Sequence, residues 1–107
     1  VLNARLFLLQ RLSALVMAPL VLGHLALMIY AIQGGLSVGE ILGRTQGSWF
    51  WGLYYGLFVL AVSVHAGIGL RVIAHEWLGL RRGLDAVTWG VAVGLGLLGL
   101  SAVLAVT

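Results

Sequence analysis

Two histidines, His24 and His65, sit well inside apolar stretches of this chain, and they are the side chains best placed to do chemistry. An ionisable residue in such a stretch seldom faces lipid, because a polar ring in hydrocarbon must find a partner within the protein. Neutral imidazole can meet that demand in two ways. It can hydrogen-bond to a neighbouring helix, or it can bind a metal, above all as an axial ligand of haem iron. The chain contains no cysteine, so disulfides, thiolate nucleophiles, Cys-type zinc sites and iron-sulfur clusters held by this chain are excluded. On the residues alone, both readings stay open for each histidine.

Depth and helical phase constrain the two rings further. His24 follows Arg11 by 13 residues and His65 precedes Arg71 by six, which at 1.5 Å per residue is about 20 Å and about 9 Å. If the two arginines mark one membrane surface, the rings differ in depth by roughly 10 Å, too far for both to lie about 2 Å from one iron. Each is therefore expected to serve its own centre, with the second ligand supplied by another chain. Eleven helical residues return to within about 20° of the starting direction. Glu76 therefore shares the face of His65, about 16 Å nearer the surface, and Ser13 shares the face of His24. Gly69, one turn beyond His65, leaves that face without side-chain bulk, where a flat macrocycle or a close helix could lie. Ser13, Arg11 and Glu76 are expected at one membrane edge, where a quinone headgroup would find donors and a proton route. Simple snorkelling of Arg11, Arg71, His75 and Glu76 to the headgroups would give the same pattern.

The elements that hold these residues are legible from composition. Of 107 residues, 62% are hydrophobic and 8% charged, against about a quarter charged in soluble domains. Mean hydropathy is +1.12. A soluble domain this small could not bury so much apolar surface, so lipid must cover much of it. The +3 charge comes from six arginines and three acids, without the basic runs that nucleic-acid binding needs. Uncharged apolar runs cover residues 12–32, 49–70 and 86–106, each about the 20 residues needed to cross roughly 30 Å of hydrocarbon. With their polar flanks they predict helices over about 4–32, 49–78 and 84–106: an all-α, three-span membrane protein in one anchor domain. The first run is too long for a signal-peptide core and is expected to be a retained helix.

Arg5, Arg11, Arg71, Arg81 and Arg82 lie on the side of the N-terminus and second loop, against Arg44 alone on the other. The positive-inside rule then puts the N-terminus in the cytoplasm and the C-terminus outside. The four tryptophans and three tyrosines mostly fall near span ends, as aromatic belts do. Gly34-Gly35 should stop the first helix, and residues 36–48 read as a surface loop with room for one interfacial turn. A tight hairpin is expected around Gly79, Arg81, Arg82 and Gly83. Pro19 should bend the first helix by removing the donor to the Leu15 carbonyl. The Gly52/Gly56 and Gly90/Gly94 pairs have the spacing that lets helix backbones approach closely.

The segment HAGIGLRVIAHEW, residues 65–77, resembles the second-helix motif of the small membrane anchors of succinate dehydrogenase and fumarate reductase. The matching positions are His65, Gly69, Leu70, Arg71, Glu76 and Trp77. Gln10 to Ala14, QRLSA, is similar to the first-helix Arg-x-(Ser or Thr) element of the same family. The resemblance implies that His65 is an axial ligand of haem b and that Arg71, with Arg11, lies near the haem propionates. It further implies that Ser13, Arg11, Glu76 and Trp77 border a quinone site beside the iron-sulfur subunit. Two departures stand out. Glu76-Trp77 replaces the usual Asp-Tyr, and indole donates a hydrogen bond but is no phenolic acid. His24 stands where single-haem anchors have an apolar residue, whereas two-haem members place histidines on their first and second helices. The second haem iron is thereby implied at His24, making one haem b or two, shared with a sister anchor.

The expected function is the hydrophobic anchor of a succinate:quinone oxidoreductase in the inner (plasma) membrane, beside an iron-sulfur subunit, a flavoprotein subunit and a second membrane anchor. Electrons would pass to ubiquinone or menaquinone. No acid-base pair, nucleophile or phosphate loop equips the chain to be an enzyme alone. A haem-free structural anchor and a cytochrome b subunit of another quinone-linked dehydrogenase are the alternatives. A small multidrug-type transporter lacks its membrane-embedded acid here.

Overall fold

The computed structural model covers all 107 residues and forms four helices without strands: α1 (Ala4–Gln33), α2 (Val38–Thr45), α3 (Trp49–Leu78) and α4 (Leu84–Val106). α1, α3 and α4 are long and apolar enough to cross a membrane. The molecule measures 48 × 23 × 22 Å, the long axis being close to the roughly 45 Å of a 30-residue helix.

Each boundary has a local cause. Asn3 begins α1 by accepting a hydrogen bond from the Leu6 amide at 2.9 Å, and Ser48 does the same for α3 through the Trp51 amide at 3.3 Å. Such side chains satisfy amides that the first helical turn leaves without partners. α3 ends at Gly79, whose φ of 69° is a left-handed conformation that favours glycine. His75 closes that end by donating from Nδ1 to the Leu80 carbonyl at 3.0 Å. α1 runs through Pro19 without interruption, and Tyr54 Oη donates to the Leu20 carbonyl just beyond it at 2.6 Å.

Residues 36–48 are more ordered than the loop expected. Eight of them form α2. Ser37 caps it through the Glu40 amide at 3.1 Å, and Glu40 pairs with Arg44 one turn on at 3.6 Å. Its last residue, Thr45, donates to the Val106 carbonyl at 2.7 Å, and the Gly47 amide donates to the Thr107 carbonyl at 3.0 Å. The loop is thus stitched to the far end of α4.

α3 is the central helix, with α1 and α4 packed on it. The α3–α4 seam is built from small residues in antiparallel register: Gly67 opposite Thr88 and Ala92, Ser63 opposite Gly96, and Val59 opposite Gly99. A Cβ on Gly67 would overlap the Thr88 carbonyl and come within 3.2 Å of Ala92 Cβ. Thr88 and Ser63, at 0% and 3% exposure, turn their hydroxyls back onto the Leu84 and Val59 carbonyls at 2.8 and 2.6 Å. Their polar atoms therefore stay satisfied away from water. The close approach expected of Gly52/Gly56 and Gly90/Gly94 is not what joins these helices. Gly56, Gly90 and Gly94 have no neighbour within 4 Å, and Gly52 meets only Thr107. Spacing along one helix cannot say which face meets the next; here the phase of Gly67 and Gly96 does.

Candidate functional site

The α1–α3 cleft brings one predicted pair together. Ser13 is 7% exposed, and its Oγ lies 3.2 Å from His65 Nδ1 and 2.9 Å from the Gln10 carbonyl one turn back. His65 is half-buried, and its Nε2 has no hydrogen-bond partner in the chain. Beside it, the Gly69 face is bare: a methyl group there would touch only the Gln10 amide nitrogen at 3.7 Å. Gln10 Oε1 is buried without a donor, a polar atom that this chain leaves incomplete. Gln10 lay inside the QRLSA element, but nothing in the sequence gave its side chain a role.

His24 lies elsewhere. Its ring packs edge-on against Phe58 and Tyr55, with centroids 5.4 and 6.0 Å away, and makes no hydrogen bond within the chain. Because Ser13 is level with His65, His24 is 11 residues, or about 16 Å, further along α1. Tyr55 and Phe58, seven to ten residues before His65 on α3, give a compatible offset of about 10 to 15 Å. The depth difference is thus larger than the 10 Å expected. Arg11 and Arg71 are not level markers, since long side chains reach the surface from different depths. One iron between the two imidazoles is excluded by either figure.

Arg71 is 13% exposed and fully engaged on one side. Its Nη1 donates to Asp85 at 2.5 Å and to Thr88 at 3.3 Å, and its Nε donates to the Val1 carbonyl at 3.0 Å. The Nη2 protons meet no acceptor in the chain, and guanidinium offers five donors in all. Asp85 was missed in the sequence. The signal was there, since an acid in the first turn of a helix faces the positive end of its dipole, and the hairpin folds α4 back along Arg71.

The remaining predicted residues do not converge. Arg11 is exposed and lies over the Phe7 ring at 5.6 Å. Glu76 is exposed, and Trp77 is 81% exposed. Both belong to the last turn of α3, 11 and 12 residues beyond His65, hence about 16 Å or more from Ser13 along the axis. α3 extends 13 residues past His65, whereas α1 has only nine before Ser13, so the two helix ends are staggered. No three His, Asp or Glu side chains converge on a cation site. What the α1–α3 interface offers is a lone imidazole with one nitrogen held and the other unpartnered.

A further apolar groove of about 640 Å³ lies between α3 and α4 near α2, floored by Phe58, Val59 and Val62. Tyr55 and Phe58 separate it from His24.

Searches of curated proteins and of solved structures returned no match. The family model described as succinate dehydrogenase/fumarate reductase transmembrane subunit matches residues 2–106. That span takes in α1 to α4 together with the Ser13–His65 pair and the Arg71–Asp85 pair, and the chain therefore belongs to the succinate dehydrogenase/fumarate reductase transmembrane subunit family.

Proposed function

We propose that this chain is the anchor of a succinate:quinone oxidoreductase that ligates haem b through His65 and borders the quinone site. The observation that carries this reading is the state of His65 inside a span, with Nδ1 on Ser13 and Nε2 unpartnered. Ligating histidines characteristically engage their other ring nitrogen in a hydrogen bond that fixes the ring. The bare Gly69 face fits a flat group beside it. Arg71, through its free Nη2 protons, and Arg11 are the cations that would meet propionates. When bound, haem b supplies a one-electron store between the iron-sulfur partner and quinone.

The chain's own residues do the rest. α1 and α3 cover one side of His65. In the orientation given by the arginine count, Glu76 and Trp77 lie at the cytoplasmic edge with Arg11 a few turns deeper, and Ser13 marks the deep limit of that edge. Quinone reduction to quinol takes up two protons, and the exposed Glu76 carboxylate can take them from water and pass them on. The flavoprotein and iron-sulfur subunits sit at this face, and a sister anchor covers the open side of α1 and α3 and would supply the further residues that hold the haem. The membrane is the inner (plasma) membrane, and the acceptor is ubiquinone or menaquinone. His24 would hold a second haem, since the axial offset demands a separate centre. Its edge contacts with Tyr55 and Phe58 support the other reading, in which this ring only packs.

The test is a reduced-minus-oxidised spectrum with haem quantitation on the complex purified through this chain. Wild type is expected to show b-type haem, His65→Ala to lose one component, and His24→Ala to lose another if two haems are present. No haem in wild type establishes the haem-free anchor instead.

A further inference from the structure

Ser13 has a single hydroxyl proton and two lone pairs, and it has two neighbours to satisfy. The shorter contact, 2.9 Å, is to the Gln10 carbonyl, which can only accept. The Ser13 proton therefore goes to Gln10, and the 3.2 Å contact to His65 must be made by a proton on Nδ1. A neutral imidazole protonated at Nδ1 has its lone pair on Nε2. The opposite tautomer, with Ser13 donating to Nδ1, puts a proton on Nε2 and blocks it as a ligand. With its one proton committed, Ser13 has nothing left to donate to a quinone carbonyl, which also only accepts.

We propose that Ser13 is a positioning residue for His65: the Gln10 carbonyl orients the Ser13 hydroxyl to accept from Nδ1–H, fixing the tautomer and raising the electron density of Nε2. This rests on the reading of His65 as a haem ligand. It adds the residue that sets the ligand's strength, and it moves Ser13 from the quinone to the imidazole. Hydrogen bonds from the far ring nitrogen raise ligand basicity, and their loss typically changes metal affinity by about 10- to 100-fold. A more basic ligand favours the ferric form, so removing the acceptor should favour the ferrous form.

The experiment is potentiometric titration of the haem in the purified complex, for wild type, Ser13→Ala and Ser13→Thr, with haem content and quinone KM measured on each. Ser13→Ala should keep its haem and shift the ferric-ferrous equilibrium about tenfold toward ferrous, a rise of about 59 mV for one electron. Ser13→Thr keeps the hydroxyl and should restore the wild-type potential. Three outcomes overturn the proposal: an unchanged potential in Ser13→Ala, a raised quinone KM with the potential unmoved, or loss of haem in Ser13→Ala and Ser13→Thr alike. The underlying reading fails separately, if His65→Ala retains the full haem spectrum.

Discussion

The two seams of α3 differ in how closely the backbones approach. Against α4, the helix presents Gly67 and Ser63 to Thr88, Ala92 and Gly96, and the backbones come so close that Gly67 has no room for a methyl group. In lipid there is little hydrophobic gain in joining two helices, so close packing and hydrogen bonds hold this seam. Against α1, the same helix uses a few long polar reaches: Tyr54 to the Leu20 carbonyl and His65 to Ser13. Gln10 Oε1 is left buried and unpartnered there. The α4 seam is closed along its small residues, whereas the α1 seam leaves His65 Nε2 and Gln10 Oε1 without partners in the chain.

That contrast can be broken in several places. The largest effect should come from His65→Ala, which is expected to abolish its b-type haem component while circular dichroism shows the helices intact. A variant that loses helix and haem together would mean that the α1–α3 seam is structural after all. Gly67→Val comes next. Overpacking a close backbone contact costs roughly 1–3 kcal/mol, and thermal unfolding of the solubilised complex should show that loss. Tyr54→Phe removes one hydrogen bond from the α1–α3 seam and should cost about 1 kcal/mol in the same assay. Gly94→Ala should leave the chain no less stable, with a gain of at most about 1 kcal/mol from helix propensity, because a methyl group there meets no other element within 4 Å. If Gly94→Ala proved as costly as Gly67→Val, a second chain would be seated on the Gly90/Gly94 face.

The three spans were legible because hydropathy and breakers act locally. Gly34, Ser48, Gly79 and Gly83 set the helix ends, and the expected boundaries agree with the observed ones to within a residue. α2 was harder, because Gly39 and Gly43 lower its intrinsic helix propensity. Even so, Ser37-x-x-Glu40 is a capping-box pattern that announces it. The seam glycines were misjudged because contact depends on the phases of two helices at once, and sequence gives only one at a time. At the site, the types of His65, Ser13 and Arg71 were readable. That Ser13 meets His65, and that Arg71 spends three of its donors on Asp85, Thr88 and Val1, depends on how the helix ends are staggered, which no spacing within one helix records.

The link between Thr45 and Val106 also dictates an order of events. The α3–α4 turn joins residues close in sequence, so it can form as soon as α4 emerges. The Thr45 hydroxyl instead needs a carbonyl 61 positions later, and closing so long a loop costs more entropy. The segment between the first two spans cannot be fastened until the final turn of the third has reached the far side of the bilayer. The clasp therefore makes the placement of the segment between the first two spans depend on the third.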